Sequence, residues 1–142
     1  MKKVIKYVIL SLLVIWILAN FVTNFLTVRV NVDKYSWSAW SADGSFAEPS
    51  EREPQWEEYT LKRGDRVEFE TYYDLYFEVT DIDLFSITVK CEPALSKKSE
   101  NKTFSLEGGR RYYIIPLNEI VELVTPSADS GEIFEIEFLG FY

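Results

Sequence analysis

The chain has 142 residues, of which 27% are charged and 47% hydrophobic, with one cysteine and no histidine. This composition excludes an internal disulfide, Ser-His-Asp and Cys-His nucleophile systems, and most zinc or copper sites. The residues after Arg29 carry 11 basic and 23 acidic side chains, a net charge of −12, so binding to nucleic acid or to anionic lipid head groups is not expected.

The first predicted element is a transmembrane helix over residues 7–28. These 22 residues are uncharged and mostly apolar, and Lys2, Lys3 and Lys6 precede them. At about 1.5 Å per residue they span about 33 Å, enough for a hydrocarbon core of about 30 Å. Basic residues stay on the cytoplasmic side, which predicts a single-pass cell-membrane protein with a cytoplasmic tip at 1–6. A lysine-rich start followed by a compact apolar segment is typical of bacterial proteins.

A cleaved secretory signal is the alternative interpretation of the same residues. Its apolar core would end at Leu18, and Ala19 is a suitable small residue for the cleavage site. The apolar character continues to Val28 with no helix breaker before Ala19, which favours a retained anchor. Both interpretations place residues 29–142 outside the cytoplasm.

Four polar residues share one face of the outer half of this helix. Their spacing of i, i+3, i+4 and i+7 predicts a stripe that seats another transmembrane helix, because polar side chains in lipid need partners. The alternative is a helix end that already lies among the head groups. The stripe consists of Asn20, Thr23, Asn24 and Thr27.

After the helix the apolar period changes to two, which is typical of strands. Residues 28–33 predict a first strand that follows the membrane segment without a linker, and 35–58 predict a long loop. Alternation then recurs in short segments separated by turns. Seven to nine such strands predict an all-β domain, an antiparallel β-sandwich of jelly-roll or immunoglobulin-like type, at 29–142.

Aromatic residues are concentrated in the predicted loop. They are candidates for a platform that stacks on a sugar or peptide, for anchors at the membrane interface, or for a plug that closes one end of the domain, and the plug is favoured. The candidate binding residues are Tyr35, Trp37, Trp40 and Trp56. Residues 37–41 match the W-S-x-W-S box of class I cytokine receptors, but no arginine ladder or disulfide pair accompanies the match, and we assign no membership.

Cys91 ends an alternating segment in which Phe85, Ile87 and Val89 lie on the same apolar face. This pattern predicts a buried, inert thiol. Acidic residues are dispersed, and the turns that contain Asp81 and Asp83 lack the spacing of calcium loops. We therefore expect no metal and no cofactor.

The sequence predicts a binding function without catalysis. The expected protein docks a protein or glycan partner, or serves as an accessory subunit of a membrane complex. A hydrolase that uses two carboxylates is the alternative from another class, and a secreted, diffusible binder after signal cleavage is the third.

Overall fold

A computed structural model describes residues 1–38, 53–70, 74–97, 109–125 and 130–142. Within these ranges the chain forms one α-helix, α1, and eight β-strands. Their bounds are α1 Lys2–Thr23, β1 Val28–Ser38, β2 Glu57–Leu61, β3 Arg66–Glu68, β4 Tyr76–Ile82, β5 Ser86–Lys97, β6 Arg110–Pro116, β7 Ile120–Val124 and β8 Ser130–Phe141.

The helix α1 is long and apolar enough to span a membrane. It ends at Thr23, five residues before the end of the predicted span. Phe25 N–H donates to the carbonyl of Val22, and Leu26 N–H to that of Thr23, so the last turn tightens before the chain becomes extended. Val28 is the first residue of β1 and pairs with β2. Its apolar side chain is buried in the core of the domain.

The eight described strands form one antiparallel sheet that is nearly closed into a barrel. Its order is β2-β1-β8-β7-β5-β4-β3, and β6 pairs with β5. The register of β5 shifts between Lys90 and Leu95. As a result, its first half pairs with β6 while its last two residues pair with β7. The prediction of an antiparallel all-β domain after one apolar helix is confirmed.

The core lies inside this sheet and is apolar. The side chains of Phe134, Ile136 and Phe138 in β8 are at most 1% exposed, as their alternation predicts. Phe134 makes edge-to-face contacts with Phe69 and Phe77, with ring centroids 5.2 Å apart in each pair. These three rings fill the part of the core next to β3 and β4.

Two predicted boundaries are wrong. Residues 35–38 belong to β1 instead of the loop, because β1 pairs with β8 without interruption from Val30 to Ser38. The end of the predicted loop likewise contains the start of β2, where Glu57 pairs with Val32. In both segments, backbone pairing with a neighbouring strand outweighs a polar and aromatic composition that is typical of loops.

The predicted burial of Phe85 is also wrong, since its side chain is 74% exposed and does not lie on the core face. The strand β5 begins at Ser86, and Phe85 lies in the β4–β5 turn that the hydrogen bond from Asp83 N–H to the Ser86 carbonyl closes. The period of two therefore does not extend to Phe85. Cys91 and the intervening Ile87 and Val89 are buried as predicted.

Candidate functional site: an apolar seam beside the anchor

Of the four residues of the predicted aromatic site, the structure describes Tyr35, Trp37 and Trp56. Tyr35 is half-buried and packs against Val124 and Ile133 in a small apolar cluster. Trp37 lies in β1 opposite Gly131, and Trp56 is half-buried directly before β2. Trp40 lies outside the described residues. Packing accounts for Tyr35, and the aromatic platform stays a prediction.

The polar stripe of α1 meets the β-domain. Thr23 Oγ1 shares its one proton between the carbonyls of Ile82 at 2.8 Å and Asn20 at 2.7 Å, and Ile82 N–H donates to Asn24 Oδ1 at 3.1 Å. Thr23 is 3% exposed as a result. The hydroxyl and the amide oxygen, which in lipid would need a partner helix, thus have partners on β4 of the same chain.

Of the other two stripe residues, Asn20 bonds within the helix, whereas Thr27 lies beyond the end of α1 and not on the predicted helix face. Asn20 Nδ2 donates to the carbonyl of Trp16 within the helix. The carbonyl of Thr27 accepts the N–H of Tyr142, which ties the C-terminal residue to the segment that follows α1. Helix association through the stripe stays a prediction, but Thr23 and Asn24 have an evident structural role: they join α1 to the end of β4.

A groove opens between β6 and β7, and we call it the apolar seam. In the described part of the chain, β6 has strand pairing with β5 alone, and β7 pairs with β8 through all five of its residues. Only Leu123 and Val124 of β7 also pair with β5, so Ile120 and Val121 have strand pairing with β8 alone among the described residues. Two strand edges therefore face each other across the groove.

The apolar seam has a volume of about 520 Å³. Its wall is of mixed character, since four apolar and three charged residues line it. The lining residues are Ile114, Pro116, Ile120, Val121, Lys97, Glu119 and Glu122. Ile114 is 62% and Ile120 51% exposed, and Tyr112, two residues from Ile114 on the same face of β6, is 56% exposed. Large exposed apolar side chains grouped in this way mark an interaction surface.

The apolar seam was not among the predicted sites, although β6 carries a signal for it. Its sequence Arg110–Pro116 does not alternate, because Tyr112 and Ile114 on the outer face are as apolar as Tyr113 and Ile115 on the inner face. A strand that is apolar on both faces is expected to be covered on both. In the described structure only the inner face of β6 is buried.

A second groove, which we call the acidic gap, lies between β2 and β3, the two end strands of the sheet. Its volume is about 340 Å³, and Glu57, Glu68, Glu70 and Lys34 line it together with the rings of Tyr59 and Phe69. Burial, and then the hydrogen bond that Tyr59 donates to Glu57, raise the pKa of Tyr59 to about 12. No group of three or more carboxylates or thiols in the described ranges is placed to hold a metal ion.

Comparison with known proteins gave no match to a family model, to a curated protein or to a solved structure.

Proposed function

We propose that this chain is a membrane-anchored binding module that docks a partner protein at the apolar seam, outside the cytoplasm. The single observation that supports the proposal most strongly is the exposure of Ile114 and Ile120 on facing strands of an open groove. The cost of leaving a large aliphatic side chain in water is about 1.5–3 kcal/mol. A partner that covers both side chains recovers this free energy.

The occupant we propose is an extended segment of another protein. The edges of β6 and β7 offer backbone N–H and carbonyl groups at strand spacing, which an added strand pairs with, while its alternate side chains contact Ile114 and Ile120. Glu119 in the wall of the groove, and the −12 charge of the residues after Arg29, favour a segment with basic side chains. Lys97 is the one basic residue that lines the groove among the described residues.

The anchor supports this proposal because it restricts where the partner is found. A retained α1 and a β-domain bonded to its last turn keep the apolar seam near the membrane surface, within reach of other membrane proteins. We interpret the domain as a sandwich of two curved sheets, β2-β1-β8-β7 and β3-β4-β5-β6, in which β5 belongs to both. On this interpretation the apolar seam is where the two sheets fail to join.

Photocrosslinking in native membranes tests the proposal. The photoreactive residue p-benzoylphenylalanine replaces Ile114 in one variant and Thr60, an exposed residue of the remote strand β2, in another. We expect a discrete adduct with one identifiable protein from position 114 and none from position 60. Ile120→Lys in the first variant is expected to abolish the adduct, whereas Thr60→Lys is not.

The alternatives give other outcomes. An adduct at both positions, or one that survives Ile120→Lys, would contradict docking at the apolar seam. A protein released from membranes by alkaline carbonate, with a mature N-terminus at Asn20, would favour the secreted binder. A glycan ligand would give no polypeptide adduct at position 114.

A further inference from the structure

The β4–β5 turn is fixed to the end of α1. Both backbone groups of Ile82, the last residue of β4, bond to side chains at the end of the helix: the carbonyl to Thr23 and the N–H to Asn24. The next hydrogen bond, from Asp83 N–H to the carbonyl of Ser86, closes the turn. Phe85 thus lies three residues from the point where the domain is attached to the helix.

The backbone of Phe85 is held by hydrogen bonds in a turn where its ring is exposed. Its carbonyl accepts the N–H of Leu117 at 2.7 Å, which fixes the turn against the β6–β7 connection. The ring is 74% exposed although Ile82 and Ile87 on either side are fully buried. A fixed, exposed phenylalanine at the tip of a β-turn has no role in the core.

Other exposed apolar residues surround the same point. Phe25 is 72% and Leu26 41% exposed in the segment between α1 and β1, and Tyr142, tied to Thr27 through its N–H, is 86% exposed. We call Phe25, Leu26, Phe85 and Tyr142 the junction collar. Phe25, Leu26 and Phe85 lie within three residues of the groups that bond α1 to β4, and Tyr142 is bonded to Thr27 nearby.

The length of α1 places this collar relative to a bilayer. Seventeen residues separate Lys6, the last charged residue of the helix, from its end at Thr23. They span about 25 Å, about 5 Å less than a hydrocarbon core of about 30 Å. With Lys6 at the inner boundary, the outer boundary therefore passes beyond Thr23, at the level of the collar. The carboxylate of Asp83 in the same turn limits the depth to the head-group region.

From this placement we infer that the junction collar is a lipid-contact surface: the rings of Phe85 and Tyr142 enter the outer interface of the bilayer beside α1 and hold the domain upright. Aromatic side chains are favoured at this depth. The inference rests on α1 being a retained membrane anchor, as in the proposed function. It requires no anionic lipid, since the contact is apolar.

Spin-label accessibility in vesicles tests the inference. The full chain carries Cys91→Ala, and a nitroxide is attached at one new cysteine: Phe85→Cys, Tyr142→Cys, Leu12→Cys in the middle of α1, or Ser36→Cys. Ser36 is an exposed residue of β1, eight residues beyond Val28 and hence about 26 Å farther from the helix. The variants are reconstituted in phosphatidylcholine vesicles, and their collision rates with oxygen and with a water-soluble nickel chelate are compared.

We expect an oxygen-to-nickel ratio at positions 85 and 142 that is several-fold above that at 36 and below that at 12. Labels at 85 and 142 that are as open to nickel as the label at 36 would overturn the inference. If the label at 12 is itself aqueous, the anchor and with it the proposed function fail. If the label at 12 lies in the hydrocarbon core while the labels at 85 and 142 are in water, only the inference of a lipid-contact surface fails. Thermal unfolding of each variant confirms that Phe85→Cys and Tyr142→Cys, which alter exposed side chains, remain folded.

Discussion

The sheet is interrupted at two places, and the two interruptions differ in chemistry. The acidic gap between β2 and β3 is lined by carboxylates, and the ring of Phe69 closes it from the inside. The apolar seam between β6 and β7 is lined by three aliphatic side chains, one proline and three charged side chains, and no described residue fills it. Charge at a strand edge repels further strands, whereas an apolar edge accepts them. The comparison indicates that the acidic gap is protected from association and that the apolar seam is available for it.

Phe69 explains why the acidic gap does not need a partner. Its ring contacts Phe77 and Phe134 at 5.3 and 5.2 Å, so it belongs to the core although it follows β3 at the end of the sheet. No described aromatic ring occupies the corresponding place in the apolar seam, where Val121 and Ile120 form the wall. The acidic gap is thus closed towards the core by an aromatic ring, whereas no described ring does so in the apolar seam.

Removal of most of β8 is the change with the largest expected effect on both interruptions. Deletion of residues 133–142 takes away the neighbour of β1 and of β7, and with it the buried Phe134 and Phe138. We expect no cooperative thermal unfolding, and aggregation through the newly exposed edges. A truncated protein with an unchanged melting temperature would show that β8 is dispensable.

Phe134→Ala tests the closure of the acidic gap. Loss of this fully buried ring leaves a cavity beneath Phe69 and is expected to cost about 3–5 kcal/mol in the free energy of unfolding. Ile120→Ala in the apolar seam is the matched control, with an expected change within about 0.5 kcal/mol because its side chain is half exposed. Chemical denaturation measures both. Equal losses of unfolding free energy in the two variants would show that the acidic gap and the apolar seam do not differ in this way.

Cys91 provides a reference in the core. Its thiol is 0% exposed, and burial raises its pKa to about 12. Cys91→Ala is expected to cost on the order of 1 kcal/mol at neutral pH, and a bulky maleimide should label the native protein slowly. Rapid labelling, or a disulfide-linked dimer under non-reducing conditions, would contradict burial.

The raised pKa of Cys91 also gives a pH dependence with a definite sign. The thiol ionises more readily in the unfolded chain, so its contribution to stability is complete below the unfolded pKa and is lost as pH rises from about 9 towards 12. The difference in unfolding free energy between wild type and Cys91→Ala should therefore fall between pH 8 and pH 10. A difference that stays constant over this range would show that the thiol is not shielded.

The ion pair of Arg29 and Glu58 on the β1–β2 ladder has the smallest expected effect. The two side chains are 2.9 Å apart but well exposed, and the hydrogen bond from Arg29 lowers the pKa of Glu58. The pair contributes above the unfolded pKa of the glutamate, and the contribution is lost as pH falls through the lower, folded value. Arg29→Ala should thus lower the melting temperature slightly at pH 7 and not in acid. A large loss at pH 7 would show that charge holds β2 in place.

The sequence alone determined the apolar helix and most of the β-domain. Alternation in β8 specified which residues are buried, because a strand with one face towards the core admits polar residues only on the other. Cys91 was assigned to the core by the same argument. Where the alternation ended at a turn, as at Phe85, or where polar residues continued a strand, as in residues 35–38, the local pattern gave the wrong boundary. Pairing with a distant strand decided those positions.

The candidate site was decided by the tertiary structure. Asn20, Thr23, Asn24 and Thr27 form one stripe in sequence, but only the position of β4 shows that Thr23 and Asn24 bond to Ile82. The apolar surface of β6 was present in the sequence, whereas its meaning depended on which strands pair and which leave their edges free. Hydrogen bonds between strands far apart along the chain set those edges. A periodic pattern records the face that a residue occupies and carries no information about the neighbour on either side.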